Sequence, residues 1–245
     1  MLTTATSLFN RYVNGEHEAV WEELSILGSN VRRLQHVDDA ISVARETMRR
    51  VRVNCQTLIL RLETLGWRFG HEWATDVDDD LLAAAPALLG EPLPPPVLDE
   101  LERRYGVMPL ALRAFYDIVG EVNFVGTPLQ RPNWPMPIDG LDPLSIASAS
   151  DITSGRVCLA PDALGKYQLG GVGDTCIQLP DRRVDAPLLF DGSPLYVGGQ
   201  RMTLVRYLRA ALLRGGGFFN FVPGSAWATP PGDDLAFLTR DLLPL

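Results

Sequence analysis

The sequence predicts an α+β protein: an N-terminal helical hairpin with one long helix, followed by a domain with a mostly antiparallel sheet of about five strands flanked by helices. Three observations support this fold class. Apolar residues spaced alternately by four and three run through residues 37–65, two proline-started helical segments occupy residues 94–120, and short strand-like runs broken by Gly, Pro and Asp follow. We expect four parts: residues 1–70, 71–96, 97–222 and 223–245.

The first part, residues 1–70, is predicted to be helical. Two short helices end at Gly15 and Gly28, and a long one ends at Gly66. Val53 and Leu60 lie away from the apolar stripe of the long helix and predict a covering surface in another domain or another molecule. The stripe itself consists of Val37, Ile41, Ala44, Met48, Val51, Cys55, Leu58, Leu62 and Leu65.

Antiparallel pairing of the second and third helices would bring an acidic block beside a basic one. The acids lie in "EHEAVWEE", residues 16–23, and the arginines in "RETMRRVR", residues 45–52. Each exposed ion pair contributes only about 0–1 kcal/mol, so we expect the match to set orientation more than stability.

The middle of the chain begins with a connector. Residues 71–96 combine an acidic run, alanines and a proline cluster, a composition typical of a semi-rigid spacer. The next stretch reads "PPPVLDELERRYGVMPLALRAFYDIVG" and predicts two helices, each opened by proline and closed by Gly106 or Gly120.

Beyond Gly120 five short runs have strand length and composition. Residues 127–155 form a long proline-dense insertion between the first two runs, and "TLVRYLRAALLRGGG", residues 203–217, returns to a helical pattern that Thr203 could cap. Residues 223–245 are expected to form one more short helix or to fray. The five runs are "EVNFVG", "RVCLAPD", "GDTCIQLP", "APLLFDG" and "PLYVGG".

Composition and charge narrow the classes of function. The net charge of −8 divides into +1 for residues 1–70 and −9 for the rest, which disfavours nucleic-acid binding and suits a basic protein partner. No apolar run approaches a membrane span, and the N-terminal residues lack the pattern of a secretory signal, so a cytoplasmic location is expected. Three widely spaced cysteines, Cys55, Cys158 and Cys176, indicate buried thiols rather than disulfides or zinc ligands.

Motifs for catalysis and cofactor binding are weak. The "HEW" at residues 71–73 lacks the second histidine of a zincin helix, and "GGVGD", residues 170–174, lacks the lysine of a phosphate-binding loop. We therefore expect no cofactor, no resident metal and no catalytic residues. A metal-dependent hydrolase built on strand-end carboxylates is the least favoured of the three functions that the sequence leaves open.

The helix pair in "LERRYGVMPLALRAFYDIVGEVNF", with "LAPD" and "LVRYLRAALLRGGGF", resembles the SUKH superfamily of Smi/Knr-like proteins, common among bacterial immunity genes. The resemblance covers residues 94–222. It departs from the family pattern at Met108, where leucine usually precedes the proline, and at residues 120–123, which replace an Asn-Gly. It implies an α+β domain that binds and neutralises a protein toxin, and it implies no catalytic residues.

Taken together, these features predict a bacterial immunity-type protein that binds a cognate toxin, without nucleic acid or membrane as partner. Aromatic and acidic residues in irregular segments are the candidate contacts: Trp134, Asp139 and Asp142, with Asp78, Asp79 and Asp80 as a second group. The alternative is a regulatory or scaffold module that forms a homo-oligomer through its N-terminal helices.

Overall fold

The computed structural model describes residues 7–69, 88–128, 141–152, 154–159, 175–190, 193–194, 196–197, 200–220 and 236–245. Within these ranges the chain forms seven α-helices and short antiparallel strands. The predicted combination of helices with an antiparallel sheet is confirmed at this level.

The N-terminal helices are α1 (Leu8–Val13), α2 (His17–Leu27) and α3 (Leu34–Thr64), with a 3-10 turn over Gly28–Arg32 between the last two. The carboxylate of Asp39 in α3 accepts the backbone N–H groups of Leu8 and Phe9 at 2.5 and 3.0 Å. Free N–H groups at a helix start require acceptors, so a residue of the long helix fixes where α1 begins.

The apolar stripe of α3 faces the core largely as predicted. Its inward residues include Met48, Cys55 and Leu62, all fully buried. Ile41 is the exception, because 38% of it remains exposed, and Thr47 and Asn54 are buried polar residues on the inward side. Leu60, expected to be covered, is 66% exposed.

The predicted acid–base match between α2 and α3 is wrong. The carboxylate of Glu46, within α3 itself, forms ion pairs with the guanidinium groups of Arg49 and Arg50, at N–O distances of 2.8 and 2.7 Å. Arg45 reaches Asp117 instead, at 2.7 Å. The acids of the first block pair elsewhere too: Glu16 and Glu23 both bind Arg11, at 3.0 and 2.6 Å. Local partners three or four residues away compete well with a neighbouring helix, because little entropy is lost in bringing them together.

The proline-started pair forms α4 (Pro95–Tyr105) and α5 (Leu110–Ile118). Gly106 and Gly120 end them with φ of 97° and 86°, a left-handed conformation that favours glycine. Helix α5 packs on α3, where the guanidinium of Arg52 donates to the backbone carbonyls of Ile118 and Val119 at 3.1 and 3.0 Å.

The sheet differs from the predicted one of about five strands. Six short strands pair antiparallel in the order β2-β5-β6-β7-β8-β9. The last predicted run, residues 194–199, contains Tyr196–Val197 (β10), which pairs outside this sheet, and the sheet strands Ser145–Ile146 (β5) and Ser193–Pro194 (β9) were not predicted. The bounds are β2 Val122–Asn123, β5 Ser145–Ile146, β6 Arg156–Leu159, β7 Thr175–Gln178, β8 Leu189–Phe190 and β9 Ser193–Pro194.

Three further antiparallel pairs tie distant segments together: β1 with β3, β4 with β12, and β10 with β11. The pair β1–β3 joins the end of the N-terminal region to the segment after α5. The bounds are β1 Trp67–Phe69, β3 Gly126–Pro128, β4 Leu141–Pro143, β10 Tyr196–Val197, β11 Gln200–Arg201 and β12 Phe218–Asn220.

The segment predicted as one helix over residues 203–217 is two elements. Helix α6 (Leu204–Leu208) continues into a π-helical segment, Arg209–Arg214. A short helix α7 (Ala236–Thr239) lies in residues 223–245. It matches the first of the two expectations for this segment, a short helix rather than frayed chain. A single buried apolar cluster contains residues of all these parts, from Leu8 to Leu245. The boundaries at residues 70, 96 and 222 stay predictions.

Candidate functional site

An open groove of about 630 Å³ lies between α2 and α6, and we call it the α2–α6 groove. One wall is formed by Glu18, Trp21, Glu22 and Ile26 of α2. The floor and the other wall come from Asp185 and the residues around the start of α6. Three segments that are distant in sequence, residues 18–26, Asp185 and residues 203–209, therefore build one surface feature.

The α2 wall follows from helical periodicity. Glu18, Glu22 and Ile26 recur every four residues and thus share one edge of the helix. Trp21 faces inward, and its indole N–H donates to the hydroxyl of Thr47 at 3.1 Å in the core. Ile26 is 81% exposed, the highest value among the exposed large apolar side chains, so the wall combines two acids with an apolar end.

The floor carries a buried carboxylate. Asp185 is only 7% exposed, and its Oδ2 accepts the backbone N–H of Val205 at 3.2 Å. It thereby serves as an acceptor for the first turn of α6, a role that the sequence suggested for Thr203; the Thr203 hydroxyl caps no backbone N–H there. Its second oxygen, Oδ1, has no hydrogen-bond partner among the described residues.

Burial raises the pKa of Asp185 to about 6. The hydroxyl of Thr203, the N–H groups at the start of α6 and the positive charge of Arg209 all oppose this shift without cancelling it. Near neutral pH the group is therefore mostly ionised, and half of that carboxylate lacks a donor. Oδ1 is itself enclosed by protein atoms, and a buried polar atom without a partner costs free energy, so this carboxylate destabilises the fold when it is ionised.

Arginines form the opposite wall. Arg209 is already engaged, because its guanidinium donates to the backbone carbonyls of Leu245 and His17 at 2.8 and 3.1 Å. Burial lowers the pKa of Arg209, and the like charge of Arg206 acts in the same direction. Arg206 is exposed at the rim. The groove thus has acids on one wall and at its floor, with cations on the other side.

Next to this groove lies a second hollow of about 480 Å³, where residues 15–19 face Pro244 and Leu245. The segment 236–245, which we call the C-terminal strap, runs along α3. The side chain of Asn54 donates to the carbonyl of Leu243 and accepts its N–H, both at 2.8 Å. Arg61 donates to the carbonyls of Leu238 and Arg240, both at 2.7 Å.

His17 stands where the strap and α2 meet. Burial lowers its pKa, and the positive charges of Arg50 and Arg209 reinforce the effect. In the neutral form its Nε2 accepts from the guanidinium of Arg50 at 2.5 Å. Its ring also packs edge-on against Tyr12, with 4.8 Å between centroids. These contacts fix the histidine ring between α1 and α3.

The partner contacts proposed from the sequence are not tested by these coordinates. Trp134, Asp139 and the acids Asp78, Asp79 and Asp80 lie outside the described residues. Asp142 is placed in β4 opposite Phe219 of β12, and only its backbone is described.

The groove residues were missed in the sequence. Glu18 and Glu22 belong to the acidic block of residues 16–23, and Arg206 and Arg209 lie in residues 203–217, whose pattern predicts only a helix. A weak signal existed for Asp185, which stands alone in the apolar run "VDAPLLF". Nothing local distinguishes it from the many aspartates that form turns.

The described ranges bear on metal binding, on membrane-spanning helices and on cysteine reactivity. No group of three His, Cys, Asp or Glu side chains there is arranged to hold a metal ion. No helix in that part of the chain is long and apolar enough to cross a bilayer. The described cysteines Cys55 and Cys176 are free and buried, and burial raises the pKa of Cys55 to about 12, so this thiol is unreactive at neutral pH.

Comparison of the chain with protein-family models, curated proteins and solved structures gives no match in any of the three. The chain is a helix-rich mixed α/β protein with an open groove between α2 and α6. The resemblance to the SUKH superfamily stays a prediction.

Proposed function

We propose that this protein is a bacterial immunity-type protein that binds and neutralises a cognate protein toxin, and that the α2–α6 groove is part of the binding surface. The observation that carries the proposal is the combination in one open groove of an exposed isoleucine, two rim acids and a buried carboxylate with an unpaired oxygen. Protein interfaces combine an apolar anchor with polar groups that select orientation.

Charge supports a basic partner. The chain carries a net charge of −8, and Glu18, Glu22 and Asp185 face the groove. Opposite charge speeds association and excludes wrong partners more than it adds affinity. A toxin that acts on nucleic acid has a basic surface and would meet both conditions.

The test is co-expression. The chain is produced with the product of each neighbouring reading frame, and growth is measured with and without it. We expect it to rescue cells from one such product. Ile26→Arg should abolish rescue, because it places a cation at the apolar end of the groove wall. Its matched control is Val97→Arg on α4, another exposed apolar residue, at 42% exposure.

Both side chains are exposed, so neither variant should change stability by more than about 0.5 kcal/mol. Loss of rescue with Ile26→Arg alone supports the groove as the binding surface. Equal behaviour of the two variants would contradict that assignment. Failure against all neighbouring products, together with turnover of a substrate, would overturn the proposed function and favour the hydrolase alternative.

A second function, a regulatory or scaffold module that self-associates through its N-terminal helices, has one observation in its favour. Leu60 presents a 66% exposed side chain on α3. Light scattering after size exclusion, on the parent chain and on Leu60→Lys, separates the two functions. If the parent chain is a dimer and Leu60→Lys is a monomer, the scaffold function is favoured. If both chains are monomers, the scaffold function is refuted.

A further inference from the structure

We infer that the C-terminal strap, residues 236–245, is an exchangeable ligand of α3, and that two copies of this chain dimerise by placing each strap on the α3 of the other copy. The partner at this surface is a second copy of the same chain. The inference goes beyond the proposed function and does not depend on it.

The first step concerns how the strap is held. Side chains of the fold contact its backbone through six hydrogen bonds, two of which join Asn54 to the carbonyl and the N–H of Leu243 at 2.8 Å. Among the described residues, no backbone–backbone hydrogen bond joins the strap to another part of the fold. The strap is therefore bound as a separate peptide would be. The other four bonds run from Arg61 to the carbonyls of Leu238 and Arg240, both at 2.7 Å, from Arg50 to that of Pro244 at 2.9 Å, and from Arg209 to that of Leu245 at 2.8 Å.

The second step concerns the anchors of the strap. Leu238 and Leu245 are 1% and 2% exposed and belong to the same buried cluster as the inward side of α3. Gly216 leaves room for the first of them, because a Cβ at this glycine would lie 2.8 Å from the Cβ of Leu238. Hydrogen bonds to the main chain give an extended segment its affinity for a surface, and pockets for its side chains give specificity. The strap has both kinds of contact.

The third step concerns the reach of the strap. The six hydrogen bonds join residues 236–245 to α3 and to Arg209, so they can form whichever copy supplies the strap. Residues 221–235 separate β12 from the strap, and a connection of this length spans up to about 50 Å, enough to reach a neighbouring molecule. Exchange of an identical segment keeps all of its contacts and is a low-cost route to a dimer.

The fourth step concerns competition within one chain. A tethered ligand has an effective concentration on the order of millimolar at its own site. The strap of the same copy therefore excludes the strap of another copy until the protein concentration approaches that value. We expect the parent chain to dimerise near millimolar concentration. Two chains without this internal competitor should associate at far lower concentration.

The experiment mixes two full-chain variants that complement one another. Asn54→Ala weakens the α3 surface and leaves the strap intact, whereas Leu243→Pro removes the strap N–H that Asn54 accepts and leaves α3 intact. Sedimentation equilibrium should show each variant alone as a monomer. The equimolar mixture should form a heterodimer at a concentration at least about tenfold below that at which the parent dimerises.

The matched control replaces Leu243→Pro by Arg240→Gln. The side chain of Arg240 is exposed and only its carbonyl is bound, so this variant keeps its own strap in place. Its mixture with Asn54→Ala should stay monomeric at the concentration where the complementary pair associates.

Circular dichroism checks that each variant is folded. If one is not, the parent chain decides, because it should show a dimer as its concentration rises to about 1 mM. Leu60→Lys, which keeps all six hydrogen bonds of the strap, should dimerise to the same extent as the parent.

A complementary mixture without heterodimer, a control mixture that associates equally well, or a parent chain that stays monomeric at about 1 mM would overturn the exchange. Loss of the parent dimer in Leu60→Lys would also overturn it, because the exposed side of α3 would then hold the copies together. Strap exchange without rescue in co-expression would leave this inference standing and refute the immunity function.

Discussion

Replacement of Asp185 by asparagine should stabilise the protein at alkaline pH and not at acidic pH. The pKa of Asp185 is about 6 in the fold and 3.8 without the fold's influence, so ionisation is easier in the unfolded chain. The stability that protonated Asp185 contributes is fully present below pH 3.8. It is lost as the pH rises from there through about 6. Asparagine cannot ionise and removes that loss.

The magnitude follows from the shift. At pH 8 the ionised carboxylate lowers the free energy of unfolding by about 3 kcal/mol, at about 1.4 kcal/mol for each pKa unit, and at pH 4 by less than about 1 kcal/mol. The N–H of Val205 would donate a weaker hydrogen bond to the asparagine oxygen than to the carboxylate, which subtracts about 1 kcal/mol at both pH values. Asp185→Asn should therefore gain about 2 kcal/mol at pH 8 and lose a few tenths at pH 4.

The assay is urea unfolding followed by tryptophan fluorescence at pH 4 and pH 8, on either side of the sequence pI of 4.9. The quantity to compare is the change caused by the substitution, because other titrating groups cancel in it. Asp38→Asn, a substitution of the same kind at an exposed position, is the matched control. An equal effect of Asp185→Asn at pH 4 and pH 8 would refute the assignment of a buried, ionising carboxylate.

Three further predictions concern stability, each measured by urea unfolding. Gly120→Ala should lower the free energy of unfolding by more than about 2 kcal/mol, because its Cβ would lie 2.2 Å from the carbonyl oxygen of Glu91 and the residue has a φ of 86°. An unchanged free energy of unfolding would contradict the turn geometry. Leu58→Ala should cost about 2–5 kcal/mol and Leu60→Ala less than about 0.5, since only the first is buried; similar costs would mean that α3 is rotated. Asn54→Ala should cost about 2 kcal/mol and speed amide exchange in the C-terminal strap, because two hydrogen bonds are lost; unchanged exchange would show that the strap is held by other contacts.

Local sequence rules located the helices well. The spacing of four and three found the buried side of α3, and the Pro and Gly signals found both ends of the α4–α5 pair, because these features depend on residues within one or two turns. Strand partners were harder. Strands of two residues have no measurable alternation, and their pairing is decided by segments far away in sequence.

The groove was not predictable by the same means. Asp185 is significant only because α6 begins 19 residues later and turns its first N–H groups toward it. Arg209 is engaged by carbonyls of residues 17 and 245, which no spacing rule brings together. A site built by the meeting of three distant segments leaves little trace in any one of them.

The docking of the C-terminal strap on α3 has a consequence for the order of events during synthesis. The side chain of Asn54 hydrogen-bonds to both the carbonyl and the N–H of Leu243. Asn54 leaves the ribosome about 190 residues before this partner. At about 5–20 residues per second, the nascent chain spends on the order of ten seconds or more with this buried amide unmatched. Full protection of the long helix must wait until residues 236–245 have been made and can dock on it, so chains that stall before this segment should be the forms that chaperones and proteases capture.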